Sequence, residues 1–257
     1  MEIKILGISG SPRKGNSEFL LTKGLDYVSN LNDFDVKIEK YLFRGKEFKP
    51  CIGCGYCGKN EGKCAHNDDF AELKNKWLQA DVIIYSLPVY HMGIPGQVKC
   101  FIDRLGNSLF GTYKNLFGSG EDTLPRLMKV IGSIVQGAHI FSGQEHTLTD
   151  LINHTLMMQS IPVTGDMWRS YIGAAGWTNN KIDRNAMEDD FKKGNFDTRV
   201  AVEASEKLIK RAVEMAAIIK SGLKEHKKQL SKDSHYIPIL NKIKYSCALT
   251  QEDNNIN

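Results

Sequence analysis

The chain has 257 residues, 41% hydrophobic and 25% charged, which suits a globular protein of one large domain or a domain with an appendage. Its 34 basic and 30 acidic residues leave a net charge of +4, too mild to argue for nucleic acid, and no Lys/Arg run is interleaved with aromatics. No apolar run of about 18 residues argues for a membrane span, and "MEIKILGISG" lacks signal-peptide order, so a reducing cytoplasm is the expected setting.

Residues 2–9, "EIKILGIS", are aliphatic and β-branched and end in a Gly/Ser turn, which predicts a buried strand. Asn16 and Ser17 are placed to cap the following helix, with Phe19, Leu20, Leu21, Leu25 and Val28 on its apolar face. Residues 35–42 alternate and predict a second strand, and the cysteine-rich segment 51–64 follows as a loop. A helix with acids in its first turn is expected at 68–79. A third strand starts in "ADVIIYSLPVY", and a helix with Pro95 in its first turn spans 94–106. A fourth strand is predicted at 128–135, a helix at 144–160 and a fifth strand within 161–172. The polar stretch 177–196 reads as a loop or flap before a long helix at 197–221, with Val200, Ala204, Leu208, Val213 and Ala217 on its apolar side.

Alternating strands and helices predict an α/β fold: a flavodoxin-like, doubly wound, five-stranded parallel sheet with helices on both faces. The expected division is a domain at 1–221, carrying the cysteine loop, and a C-terminal extension at 222–257. The extension contains a short apolar patch, "HYIPILNKIKY", that docks on the core or a partner, or else frays. Ligands of such sheets bind beyond the carboxyl ends of the strands, at the switch point beside strand 1. The loops after strands 1, 3 and 4 are therefore the candidate site.

The first of these loops, "SGSPRKGNS", feeds backbone N–H groups and a helix dipole toward an anion. Gly10 and Gly15 have P-loop spacing, but Asn16 stands where the P-loop lysine belongs, which disfavours an NTPase. A dinucleotide G-x-G-x-x-G is absent. A monophosphate remains, met by the hydroxyls of Ser9, Ser11 and Ser17, the amide of Asn16 and the charge of Arg13, with Pro12 in the same turn. The alternative is a plain turn with a helix cap.

"GISGSPRKGNS" together with "SLPVYHMGIPGQVKCFIDR" resembles the NADPH-dependent FMN reductase branch of the flavodoxin-like superfamily, over roughly residues 1–175. The resemblance implies that the first motif holds the FMN phosphate. It also implies that Pro88, Val89, Tyr90, His91, Met92 and Gly93 lie beside the isoalloxazine ring, where Tyr90 and Met92 offer apolar surface and Gly93 a close backbone approach. The loop "QGAHIFSGQEHTL" resembles the family's third flavin-contacting segment, with Gly137, Ala138 and Gly143 near the ring and Gln144 and Glu145 offering polar contacts. His139, His146 and His154 form no tight H-x-x-x-H pair with a carboxylate and read as solvated or packing residues.

Cys51, Cys54, Cys57 and Cys64 are spaced C-x2-C-x2-C-x6-C. Thiolates at this spacing suit an iron–sulfur cluster, a structural zinc, or a thiol–disulfide switch. The glycines among them, Gly53, Gly55, Gly58 and Gly62, let the backbone wrap a cluster. The motif's place after strand 2 resembles the iron–sulfur flavoproteins, which implies a [4Fe–4S] cluster beside FMN. It also implies a homo-oligomer, dimer or tetramer, in which one subunit's cluster lies near its neighbour's flavin. Cys100 and Cys247 read as packing or surface thiols.

The resulting expectation is a flavin-dependent oxidoreductase with FMN and a [4Fe–4S] cluster, moving electrons between a reduced donor such as ferredoxin and an acceptor, with no acid–base dyad. Two alternatives stay open: an NAD(P)H-dependent FMN or quinone reductase with structural or zinc-bound cysteines, and a non-enzymatic flavin carrier or redox sensor.

Overall fold

The structure is a computed structural model and describes residues 1–116, 124–165 and 168–243. Strands β1 (Ile3–Ser9), β2 (Val36–Leu42), β3 (Val82–Pro88), β4 (Val130–Gly137), β5 (Ile161–Pro162) and β6 (Ala174–Trp177) form one parallel sheet. Its order is β2-β1-β3-β4-β5, with β6 also pairing β4. The order reverses at β1, whose neighbours are β2 and β3.

Every residue of β3 is buried, as a central parallel strand requires. Ile83, Tyr85 and Leu87 face one core layer with Trp77, Phe101 and Leu151, while Val82 and Ile84 face another with Leu21, Leu25 and Leu208. The first layer is closed by α3 (Phe70–Gln79), α4 (Gly96–Tyr113) and α5 (Gln144–Met157). The second is closed by α1 (Asn16–Leu31) and α7 (Phe196–Glu225). A one-turn helix, α2 (Tyr56–Lys59), lies inside the cysteine segment.

The fifth strand departs from the reading at 161–172. Two short pieces share one edge of β4: β5 pairs with Val130 and Ile131, and β6 with residues 134–137. Between them the Gly165 N–H donates to Ser170 O at 2.8 Å. The sequence of β6, "AAGW", carries no β-branched residue because α6 and α7 pack hard against it. A β-carbon on Gly176 would stand 2.8 Å from Met187 Cε and 3.0 Å from Ala201 Cβ.

The stretch 177–196 is not all loop. It contains α6 (Ala186–Lys192), anchored by Asn16, whose side-chain amide donates to Asp183 O at 3.2 Å and accepts from the Met187 N–H at 3.0 Å. Asn16 is thus not a helix cap; Gly15 occupies the cap position and offers no side chain. On α7, Ala204, Leu208 and Val213 are buried, while Val200 and Ala217 are half-buried.

Beyond α7, the short helix α8 (Lys227–Leu230) and a helical stretch at 237–243 fold back under the sheet. Leu240 is buried there, and Lys242 and Lys220 donate to Asp81 at 2.9 and 2.7 Å. Burial works to raise the Asp81 carboxyl, but the two ammonium groups outweigh it and hold its pKa at about 2. Asp81 immediately precedes β3, so this anchor lies at the end of the sheet opposite the candidate loops. Cys247 lies outside the described residues, and no described helix is long and apolar enough to cross a membrane.

Candidate functional site

Ser11, Arg13, Asn16, Pro88, Val89, Tyr90, Gly137 and Ala138 line one cleft of about 160 Å³ at the carboxyl ends of β1, β3 and β4. This volume suits the polar end of a ligand rather than a whole cofactor. Ser9 and Ser17 are buried beside it, and Pro12 is exposed at its rim. Gly10 lets the first loop lie against its neighbours, since a β-carbon there would meet Leu87 Cδ2 at 2.4 Å and Val98 Cγ2 at 2.6 Å.

The first loop shows two features that suit an anion. The first-turn amides of α1 have no side-chain cap. The Ser17 hydroxyl is buried without a hydrogen-bond partner, a state that costs about 1–3 kcal/mol unless a ligand meets it. The Ser11 hydroxyl is used locally, donating to Arg13 O at 2.8 Å.

After β3 the chain makes a two-residue hairpin. The Tyr90 and Gly93 backbones exchange two hydrogen bonds at 3.0 Å, and both residues between them have left-handed φ, 48° at His91 and 68° at Met92. Such a turn normally takes Asn and Gly. A non-glycine residue there costs roughly 1–2 kcal/mol, and strain of this kind gathers at functional sites. The close approach sits at Gly143 rather than Gly93. Gly143 has φ 96°, and a β-carbon on it would meet Met92 O at 2.5 Å, whereas one on Gly93 would meet open space.

The loop after β4 folds on itself. Gln144 is buried, and its amide donates to His139 O at 2.7 Å and accepts from the Ser142 N–H at 2.8 Å. Its polar atoms therefore close the loop instead of facing the cleft, while Glu145 is exposed. Ile140 and Phe141 project into solvent, as do Tyr90 and Met92. His154 is a packing residue, as expected: Trp77 Nε1 donates to the Tyr85 oxygen at 3.0 Å, and Tyr85 shares a 3.2 Å hydrogen bond with His154 Nε2. Burial pushes the His154 pKa down to about 4.

Residues 178–184, beyond β6, cover the cleft, and the sequence reading did not assign them to it. Thr178, Lys181, Ile182 and Arg184 line it. The strap is tied to the β4 loop by the Asn180 N–H to Ala138 O bond at 2.9 Å and to the first loop by Arg13 Nη2 to Ile182 O at 3.5 Å. The only signal in the sequence was polarity, which marks a loop but not what it touches.

The cysteine segment lies beside this cleft in sequence order but packs on α4. Cys51, Cys54, Cys57 and Cys64 line a single cavity of about 540 Å³, closed by Arg104, Asn107, Ser108 and Gly111 of α4 and by His66. Cys51 and Cys54 are exposed, Cys57 and Cys64 half-buried. Among the described residues no three His, Cys, Asp or Glu side chains form a ready-made single-ion site. Gly53 and Gly55 take left-handed φ of 64° and 68°, which lets the chain wrap around the cavity.

Several groups behind the cysteines were not foreseen. Arg104 makes a buried two-pronged pair with Asp68, Nη1 at 2.6 Å and Nη2 at 2.9 Å. Burial works to raise the Asp68 carboxyl, but Arg104 and the N–H groups of Lys49 and Phe70 keep it below the usual range. Asn107 Nδ2 lies 3.8 Å from Cys51 Sγ. Lys74 Nζ donates to Gly62 O at 3.0 Å and to Thr112 Oγ1 at 2.9 Å, and its burial lowers its pKa while Cys57 and Cys64 pull it back up. Arg104 and Lys74 sit 30 or more residues from at least one partner, so spacing alone could not find them.

The sequence pattern of the NADPH-dependent FMN reductase family matches residues 3–166. The chain belongs to this family. This FMN reductase-family protein is 31% identical over 220 residues to an iron–sulfur flavoprotein of Methanocaldococcus jannaschii, covering 85% of this chain and 100% of that one. It is likewise 31% identical over 187 residues to an iron–sulfur flavoprotein of Methanosarcina thermophila, covering 72% and 88%. It therefore sits among the iron–sulfur flavoproteins and is a flavin-dependent oxidoreductase. The solved structure of RosB with bound 8-demethyl-8-formylriboflavin-5'-phosphate shares its fold at TM-score 0.59, with 13% identity over 99% of this chain and 89% of that one.

Proposed function

We propose that the protein is an electron-transfer oxidoreductase that binds FMN in the cleft over β1, β3 and β4 and a [4Fe–4S] cluster on Cys51, Cys54, Cys57 and Cys64. One observation carries the reading: all four cysteines line one cavity, against the helix that starts just after the strained His91–Met92 turn. The cluster supplies one-electron transfer, and FMN accepts one or two electrons. The chain's own residues bind and orient. The α1 amides, Ser17 and Arg13 take the phosphate, the 88–93 turn seats the ring, and Gly137 and Ala138 floor the cleft. No proton-transfer dyad is required. A reduced donor such as ferredoxin supplies the electrons, in a reducing compartment. The exposed Tyr90, Met92, Ile140 and Phe141 at the cleft's edge favour a homo-oligomer.

The test is iron, zinc and acid-labile sulfide per chain on anaerobically purified protein, together with its visible spectrum. About four iron and four sulfide on a flavin background are expected. The Cys54→Ala variant should lose iron and keep FMN; zinc in place of iron, or flavin lost with iron unchanged, would sink the assignment. The family match favours a second reading, an NADPH-dependent FMN reductase with structural cysteines, and steady-state NADPH oxidation by iron-free protein selects it.

A further inference from the structure

Two nitrogen atoms in the lining of the cysteine cavity lack a hydrogen-bond partner, and a buried lysine sits on the loop that closes it. Arg104 Nε and His66 Nε2 are buried without a hydrogen bond. Lys74 is 9% exposed and uses two of its three donors, on Gly62 O and Thr112 Oγ1. The charge of Arg104 is matched by the Asp68 carboxylate, although Cys64 also acts on it. The charge of Lys74 is not. Among the described residues it pairs with no carboxylate, and the groups whose charge acts on it are Cys57 and Cys64. The backbone is shaped to admit this ammonium. Gly62 has φ 78°, and a β-carbon there would stand 2.9 Å from Lys74 Nζ and 2.0 Å from Thr112 Oγ1. A buried cation with a spare donor needs an anion beside it.

We propose that Lys74 is a positioning residue of the electron port: its ammonium is the counter-charge of the four-cysteine centre and raises that centre's reduction potential. The inference rests on the [4Fe–4S] reading above. One electron from the reduced donor adds one negative charge within the cavity, and that charge leaves when the electron passes to the flavin. Lys74 exchanges neither electron nor proton. A fixed cation held on the Gly62 carbonyl, in the loop between Cys57 and Cys64, stabilises the more negative, reduced state more than the oxidised one, so it draws the electron in. Charge and hydrogen bonding around the thiolates are the levers by which a protein tunes such a centre.

The test compares the full-length wild type with Lys74→Gln and Lys74→Arg, all purified anaerobically. Glutamine retains a donor for Gly62 O and Thr112 Oγ1 but carries no charge; arginine keeps the charge. Iron and sulfide are measured first, then the midpoint potentials of the cluster and of the flavin in the same sample. Lys74→Gln should hold its iron and show at least a tenfold shift of the cluster's one-electron equilibrium toward the oxidised form, about 59 mV more negative. The flavin potential should not move, and Lys74→Arg should stay near the wild type. Iron lost in Lys74→Gln but held in Lys74→Arg would also support the proposal, because charge is then what holds the centre. Iron lost in both variants would assign Lys74 a scaffold role and overturn it. Full iron with unchanged potentials ends this inference alone; a wild type without iron ends the [4Fe–4S] reading and this inference with it.

Discussion

The carbonyl oxygen of Cys57 lies 2.2 Å from where a β-carbon on Gly111 would stand. Helix α4 and the cysteine segment therefore touch backbone to backbone. The same oxygen accepts from the Gly62 N–H at 2.9 Å, which closes the loop that brings Cys64 back toward Cys57. A glycine near the end of an 18-residue helix is otherwise a poor choice, costing about 1 kcal/mol against alanine. Gly111→Val should gain little from helix propensity, because overpacking of about 1–3 kcal/mol against the Cys57 carbonyl wins. Iron per chain is expected to fall severalfold while bound flavin stays constant. Unchanged iron would show that the cysteine loop does not depend on this contact.

Ser17 offers a sharper test of the first loop. Its hydroxyl is buried and unpartnered. Ser17→Ala should leave the flavin-free protein as stable as wild type or slightly more stable, since it removes an unmet polar group. It should weaken FMN binding about tenfold, roughly 1.4 kcal/mol. Thermal melts of flavin-free protein and a flavin fluorescence titration read the two effects separately. Weaker folding with unchanged FMN affinity would place Ser17 outside the phosphate site.

Asn16 ties the cleft to its cover. Asn16→Ala leaves the Met187 N–H without a partner, at a cost of about 1–3 kcal/mol, and the Asp183 carbonyl with only the Ala186 N–H. Hydrogen exchange at Met187 is expected to accelerate, with a smaller change at residues 3–9, since the sheet does not lean on this contact. Equal acceleration in both segments would mean global destabilisation rather than a released strap.

His154 sets a pH window. Its pKa is about 4 in the fold against an ordinary 6.5, because burial beside Tyr85 disfavours the cation. The unfolded chain therefore binds the proton first. This contribution to stability is complete above pH 6.5 and is lost as pH falls through about 4. A shift of this size corresponds to roughly 3 kcal/mol at 1.36 kcal/mol per unit. Urea midpoints of wild type should drop across this window, and those of His154→Gln should drop less. Parallel curves would remove His154 from the acid sensitivity.

The sequence alone went far with this protein because its strongest signals are local. The buried strands at 3–9 and 82–88 are aliphatic runs bounded by turns, and the cysteine spacing and the Gly/Ser loop are contiguous motifs. Local signals failed where packing chose the residues. Strand β6 is small and lacks β-branching because α6 and α7 press on Gly176, so nothing in "AAGW" announces a strand. Asn16 has the chemistry of a helix cap, yet its amide serves Asp183 and Met187, more than 160 residues away.

Residue order determined the class of fold, the loops that carry the site and the set of four thiols, since each follows from periodicity or spacing within a few dozen residues. Tertiary structure decided what surrounds them. It brought the strap at 178–184 over the first loop, paired Arg104 with Asp68, and tied the ammonium of Lys74 to the Gly62 carbonyl in the loop between Cys57 and Cys64. Those placements come from segments far apart in the chain. They exist only because burial forces each charge and each backbone polar group to find its partner in three dimensions.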